Sequence, residues 1–242
     1  MDIQNTEATS EDEQFKEFKR QKRLEEAKSR VTKIEYDCLS TNIDKAILKE
    51  TCQEADRLAL GAIIVYPNLV KSCVAFLGDD PQVSLIAAIS YPHGEDVLDI
   101  KCAAIKRAIK DGVDEVEVCA PANLLKDSSF ALFKKECKKV KKACKQRAIR
   151  IVIDCANLEE KQIIKASTIA ADVGINCIRL TSAGPDIISE VKTAVKDKCI
   201  IKSDGAENTM QFLNALTAGA DTVGCTQALE LSKFLLKEAE QD

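Results

Sequence analysis

The chain has 242 residues, 45% of them hydrophobic and 31% charged, with a net charge of −4 and an isoelectric point near 5.4. That is the profile of a globular protein of one large or two small domains, and it argues against a general polyanion binder. Aromatic residues reach only 4% and Trp is absent, which argues against a stacking platform for single-stranded nucleic acid. No apolar run approaches the roughly 18–20 residues that cross a bilayer, and the charged N-terminus does not read as a signal peptide. The expectation is a cytoplasmic protein with neither membrane nor nucleic-acid partners.

Residues 1–9 carry no periodic pattern and are expected to be disordered. Ser10-Glu11-Asp12-Glu13 has the form of a capping box, opening a highly charged helix that runs to about Arg30. Its apolar positions, Phe15, Phe18 and Leu24, are sparse. Residues 1–30 are therefore expected to form an outer appendage to a domain over 31–242, and the helix is a candidate interface for a homodimer.

From there the pattern alternates. Short β-like runs are predicted at 33–39, 61–66, 83–89, 115–120, 150–155, 177–181, 199–203 and 222–225. Helical patterns fill 43–60, 68–77, 95–111, 128–147, 159–173, 185–196, 207–218 and 227–240. Gly61, Gly112, Gly174 and Gly219 stand where helices should end before strands begin. Near-continuous apolar strands alternating with amphipathic helices mean buried parallel strands joined by right-handed crossovers. About eight such units in this length predict an α/β fold of the (β/α)8 TIM-barrel kind with an extra N-terminal helix. A doubly wound sheet is the rival, but no Gly-x-Gly-x-x-Gly or phosphate-loop sequence follows any strand.

The 11 cysteines form no Cys-x-x-Cys pair, and Cys119, Cys155, Cys177, Cys199 and Cys225 lie in or beside apolar β-like runs. They read as reduced, buried small hydrophobes of a reducing compartment. His93 is the only histidine, so no metal site and no metal cofactor are expected. The run Lys134–Lys142 places Phe133, Cys137, Val140 and Cys144 on one helical face and its lysines on the other, the pattern of a solvated outer helix.

Two strand-like runs carry the chemistry: Cys177-Ile178-Arg179-Leu180-Thr181-Ser182-Ala183-Gly184 and Cys199-Ile200-Ile201-Lys202-Ser203-Asp204-Gly205. Each holds one cation inside an apolar strand and then breaks into a polar turn. A buried charge is costly unless paired or used, so Arg179 and Lys202 are expected to converge on one polar pocket. In a barrel that pocket is the C-terminal mouth, where Glu117, Asp154 and Asp204 also fall. Glu117 and Cys119 share one face of their strand.

At these residues the chain resembles the deoxyribose-phosphate aldolases, class I aldolases built on a (β/α)8 barrel. The resemblance runs from about Ile34 to Phe234. It rests on Ile63-Ile64-Val65-Tyr66-Pro67, Ile89-Ser90-Tyr91-Pro92-His93-Gly94, Gly112-Val113-Asp114-Glu115-Val116-Glu117-Val118, Ile151-Val152-Ile153-Asp154, Ile178-Arg179-Leu180-Thr181-Ser182, Ile201-Lys202-Ser203-Asp204-Gly205 and Ala218-Gly219-Ala220 with Gly224. The family's chemistry implies a lysine on the sixth strand that forms an imine and a second lysine on the seventh that depresses its pKa. It also implies an acid at the end of the fourth strand and a glycine- and serine-rich rim that binds phosphate. Here the imine position is Arg179, the fourth-strand acid is Glu117, and the seventh-strand lysine is Lys202. The rim maps onto Ser203, Asp204, Gly205, Gly224 and Thr226. It lacks the second glycine of the usual pair, where Ala206 stands, and the basic residue expected shortly after it. Glu35-Tyr36-Asp37-Cys38-Leu39 replaces an Asp-His-Thr-Leu-Leu-like run.

A guanidinium stays protonated and is no practical imine former. Three readings follow. One is a vestigial, non-catalytic family member with a binding or structural role. Another is an active carbon–carbon lyase on a small aldehyde or sugar phosphate, with Lys202 as the relocated Schiff-base nucleophile, its pKa lowered by Arg179, and Glu117 or Asp204 as acid and base. The third is a different barrel enzyme in which Arg179 and Lys202 clamp a carboxylate or phosphate.

Overall fold

The structure, a computed structural model, describes residues 3–241, with side chains described from residue 13. A long helix α1 (Ile3–Val31) leads into β1 (Ile34–Cys38). There follow α2 (Lys45–Arg57), β2 (Ala62–Val65), α3 (Val70–Leu77), β3 (Ser84–Ile89), α4 (Leu98–Asp111), β4 (Glu115–Cys119), a short α5 (Ala122–Lys126) and α6 (Phe130–Cys144). The second half runs β5 (Ala148–Asp154), α7 (Glu160–Val173), β6 (Cys177–Thr181), α8 (Pro185–Val195), β7 (Ile200–Ser203), α9 (Thr209–Thr217), β8 (Thr222–Cys225) and α10 (Ala228–Glu240). The eight strands pair in chain order, all parallel, and β8 closes on β1. This is the predicted (β/α)8 barrel.

Three local expectations change. The helix α1 begins at Ile3, so Ser10 lies inside it rather than at its cap. Nothing in residues 3–9 is a Gly or Pro that would stop a helix propagating upstream. The disorder expected for residues 1 and 2 falls outside the described residues. Gly112 and Gly174 do close α4 and α7 in the left-handed conformation, but Gly61 caps nothing. It lies beyond the end of α2 and takes its place because a Cβ there would run into the Thr32 carbonyl oxygen. The short α5 was not predicted, being only five residues long.

Alternation along the strands divides the core into two regions. Ile63, Val65, Leu85, Ala87 and Ile89 face outward and join the large apolar layer beneath the helices. Ala62, Ile64, Ile86 and Ala88 form a separate apolar patch inside the barrel on β2 and β3. Elsewhere the interior carries charge, with Glu35, Glu117, Arg150, Arg179 and Lys202 all buried. On α6, Phe133, Cys137, Val140 and Cys144 pack inward while Lys134, Lys135, Lys138, Lys139 and Lys142 are exposed. Its single acid, Glu136, turns inward to Lys101 at 2.6 Å. All 11 cysteines are free, and all but Cys102 are buried. Burial pushes the Cys119 and Cys177 thiols up to about 12, which makes them unreactive.

Candidate functional site

Arg179 stands on β6 directly beside Lys202 on β7. Alternation turns both into the barrel, where Arg179 is 1% and Lys202 0% exposed. The Arg179 guanidinium donates from Nη1 to Glu117 Oε1 at 2.5 Å and from Nη2 to Asp204 Oδ2 at 2.6 Å. Nη1 also lies 3.2 Å from Asp37 Oδ1. Lys202 Nζ donates to that same Asp37 oxygen at 3.0 Å and lies 3.2 Å from Glu35 Oε2. Its distance to Glu117 Oε2 is 3.9 Å. Below this layer Arg150 grips both Glu35 oxygens at 2.8 Å through Nη1 and Glu115 Oε2 at 2.7 Å through Nε. The planar donor fork suits arginine to the two multidentate positions, and lysine takes the point contact between them.

The sequence-predicted cations and Glu117 thus do converge. Asp204 joins them, but Asp154 sits at the exposed end of β5, accepting from Thr181 Oγ1 at 3.1 Å. The rim residues separate. Asp204, Gly205 and Thr226 line a mouth cavity of about 330 Å³ together with Asp37, Tyr91 and Arg179. Ser203 opens instead on an adjoining cavity of about 340 Å³ between α8 and α9, which Asp204 and Gly205 also line. Gly224 is pressed against the Asp37 and Asp204 carboxylates and the Lys202 stem, where a side chain would have no room.

Sequence reasoning missed Glu35, Asp37 and Arg150 as members of the cluster. A signal existed. Glu35 and Asp37 alternate within a strand whose remaining positions are Ile34, Tyr36 and Cys38, so both must share one face. Arg150 lies opposite Glu117 in register.

Five carboxylates (Glu35, Asp37, Glu115, Glu117, Asp204) face three cations (Arg150, Arg179, Lys202). The imbalance shows in the titrations. Burial alone would raise Glu35, but Lys202 and Arg150 hold it at about 2. Burial dominates at Asp37 and, with Asp204 adding to it, pushes that carboxyl up to about 7 against the pull of Lys202 and Arg179. Asp204 goes the other way: burial would raise it, but Arg179, Asp37 and Lys202 together outweigh that and hold it below its ordinary value. The two crowded carboxyls therefore titrate as one coupled pair, Asp37 shifted up and Asp204 down. For Lys202, burial and Arg179 both push the amine down. Asp37, Glu35 and Glu117 push it further up, so it stays protonated well above its ordinary value. This corrects the expectation that Arg179 would free that amine: the cation is present, but three carboxylates outweigh it.

Asp37 gives the site a pH signature. Its carboxyl titrates at about 7 when folded against an ordinary 3.8. Between those values the folded state keeps a proton that the unfolded state has lost, so stability falls as pH rises through that window. Asp37→Asn should remove this slope, which for one group is up to about 1.4 kcal/mol per pH unit. Urea midpoints from pH 4 to 7 should show the variant gaining on the wild type; parallel curves would mean that Asp37 is ionised throughout.

A closed eight-stranded parallel barrel with ionisable side chains gathered at and beneath its C-terminal mouth defines the class: a (β/α)8 barrel. The family model of the DeoC/LacD aldolases matches residues 25–223, and the chain belongs to that family. It is 25% identical over 207 residues to deoxyribose-phosphate aldolase 1 of Mesoplasma florum, covering 83% of this chain and 94% of that protein. It is 26% identical over 210 residues to the deoxyribose-phosphate aldolase of Caldicellulosiruptor saccharolyticus, covering 82% of this chain and 94% of that protein. The tetrameric deoxyribose phosphate aldolase of Aeropyrum pernix superposes with a TM-score of 0.76 at 16% identity, covering 86% of this chain and 91% of that one. At that identity the likeness speaks for the fold alone.

Proposed function

We propose that this chain is a non-catalytic member of the aldolase family, with Arg179 in the place of the imine-forming lysine and a barrel interior given over to ion pairing. The observation that carries the reading is the state of Lys202, the amine left at the mouth. It is wholly buried, held by Asp37 and Glu35, and stabilised in its protonated form. Imine formation needs a free amine with access to a carbonyl carbon, and this amine has neither. Arg179 has a guanidinium held even more firmly in the charged state by Glu117, Asp37 and Asp204. The excess of carboxylates also makes the mouth a poor host for a phosphate dianion, because like charges in a low-dielectric site repel. The same occupation of both cations disfavours the clamp reading.

The rival reading, an active lyase with Lys202 as relocated nucleophile, and the proposal part at one experiment. The protein is incubated with deoxyribose 5-phosphate and with short aldehydes in the presence of borohydride, then digested and mass-mapped. The expected result is no adduct on Lys202, no retro-aldol cleavage, and no thermal stabilisation by the sugar phosphate. A reduced adduct on Lys202 would overturn the proposal in favour of the lyase.

A further inference from the structure

Eight loops carry the strands into the helices that follow them: residues 39–44, 66–69, 90–97, 120–121, 155–159, 182–184, 204–208 and 226–227, all among the described residues. None of them contains a lysine or an arginine, whereas Asp44, Glu95, Asp96, Glu159, Asp204 and Glu207 all lie in them. Composition does not account for this, because the chain has 35 lysines and arginines. Nor does being a loop. At the other end of the barrel the connections into the strands carry Lys33, Lys145, Arg147, Lys196 and Lys198. Charge of one sign around a cleft concentrates ions of the other sign there. The mouth end is therefore set to draw cations in and to turn anions away.

The floor of the mouth has the same sign. Asp37, whose side chain is 8% exposed, accepts from Lys202 at Oδ1, while its Oδ2 crowds with Asp204 Oδ1 at one point beside Gly224. Asp204 spends Oδ2 on Arg179, and its Oδ1 is buried without a hydrogen-bond partner. Both acids line the cavity of about 330 Å³, which has room for a small ligand. Tyr36, Leu39, Ile43 and Tyr91 wall it with two aromatic rings and two apolar side chains. Acids beneath such walls suit an organic cation, whose charge meets the carboxylates while its carbon chain lies against the rings. A bare metal ion would gain nothing from those walls, and among the described residues no group of three or more potential ligands is placed to hold one.

We propose that the mouth is a binding site for a small organic cation bearing a protonated primary amine, seated on Asp37 and Asp204 between Tyr36 and Tyr91. This rests on the reading that the mouth neither forms an imine nor holds phosphate, and it names what the cavity takes instead.

The probe is butylammonium chloride, compared with 1-butanol, sodium butyrate and inorganic phosphate at one ionic strength on the full chain. Butylammonium should raise the thermal midpoint saturably and move backbone amide NMR signals around the cavity, those of Tyr36, Tyr91 and Thr226 among them. The three comparison compounds should do neither. Thr226→Lys sets a tethered ammonium at an exposed position of the same cavity, outside the buried cluster. It should weaken binding by about tenfold or more with the fold unchanged, and Asp204→Asn should do the same by removing one charged hydrogen-bond acceptor. Binding that survives both substitutions, signals spread over the whole surface, or tighter binding of butyrate or phosphate would overturn the proposal. A borohydride-trapped adduct on Lys202 would remove the non-catalytic reading and this inference with it. A chain free of adduct and indifferent to butylammonium would remove the inference alone.

Discussion

Arg179→Ala is expected to destabilise the barrel by about 3–5 kcal/mol, the range for removing one partner of a buried ion pair. The guanidinium is the single contact shared by Glu117, Asp37 and Asp204. Its removal leaves three carboxylates around Lys202 alone, and Glu117 Oε2 already lacks a hydrogen-bond partner. Against a typical stability of about 5–15 kcal/mol the loss is a large fraction of the whole. Arg179→Lys should fall between, because an ammonium keeps the charge but cannot span Glu117 and Asp204 at once. The penalty should shrink as pH falls through the carboxylate range, where the stranded acids can take up protons and the repulsion ends. Urea denaturation of the two variants at neutral and acidic pH reads all of this. A loss below about 1 kcal/mol at neutral pH, the level of an exposed pair, would show that water reaches the cluster and screens it.

Gly224→Ala is the second large effect, and it tests crowding rather than charge. The added methyl would overlap Asp37 Oδ2 and Asp204 Oδ1 and lie 2.8 Å from Lys202 Cε. Side-chain ends usually yield to such a methyl. These cannot swing aside freely, since Asp204 is held by Arg179 and Asp37 by Lys202. Overpacking of this kind costs about 1–3 kcal/mol. Because the methyl also pries apart the two coupled carboxyls, the variant should lose the pH dependence assigned to Asp37. Thermal melts across pH 4 to 7 should show a lower midpoint and a flatter profile. An unchanged midpoint would mean that the two acids are free to rotate away.

The fold was legible at the level of elements because its signals are local. Periods of two and 3.6 residues are written in the chain, and the αL glycines at Gly112 and Gly174 mark where helices give way to strands. The convergence of Arg179 and Lys202 was legible too. Two charged side chains in neighbouring apolar strands have to turn to the same interior once the strands pair in order. The membership of the cluster was harder to read. Glu35 and Asp37 shared a face by alternation, but nothing along the chain said that this face would meet Lys202 and Arg150. Arg150 sits in an apolar strand beside residues 115 to 117 only after the barrel closes, and it reaches Glu35 across 115 positions of sequence.

By itself, then, the chain's order of residues determined the barrel, its strand boundaries and the presence of two interior cations. What only the tertiary structure decided was the protonation of the interior. The sequence places a cation next to Lys202, which lowers an amine's affinity for its proton. Closure of the barrel adds Asp37, Glu35 and Glu117 from β1 and β4, which raise it. Coulomb interactions depend on distance in space and on exclusion of water, not on separation along the chain, so the balance between these opposing neighbours is set only when all eight strands are in place.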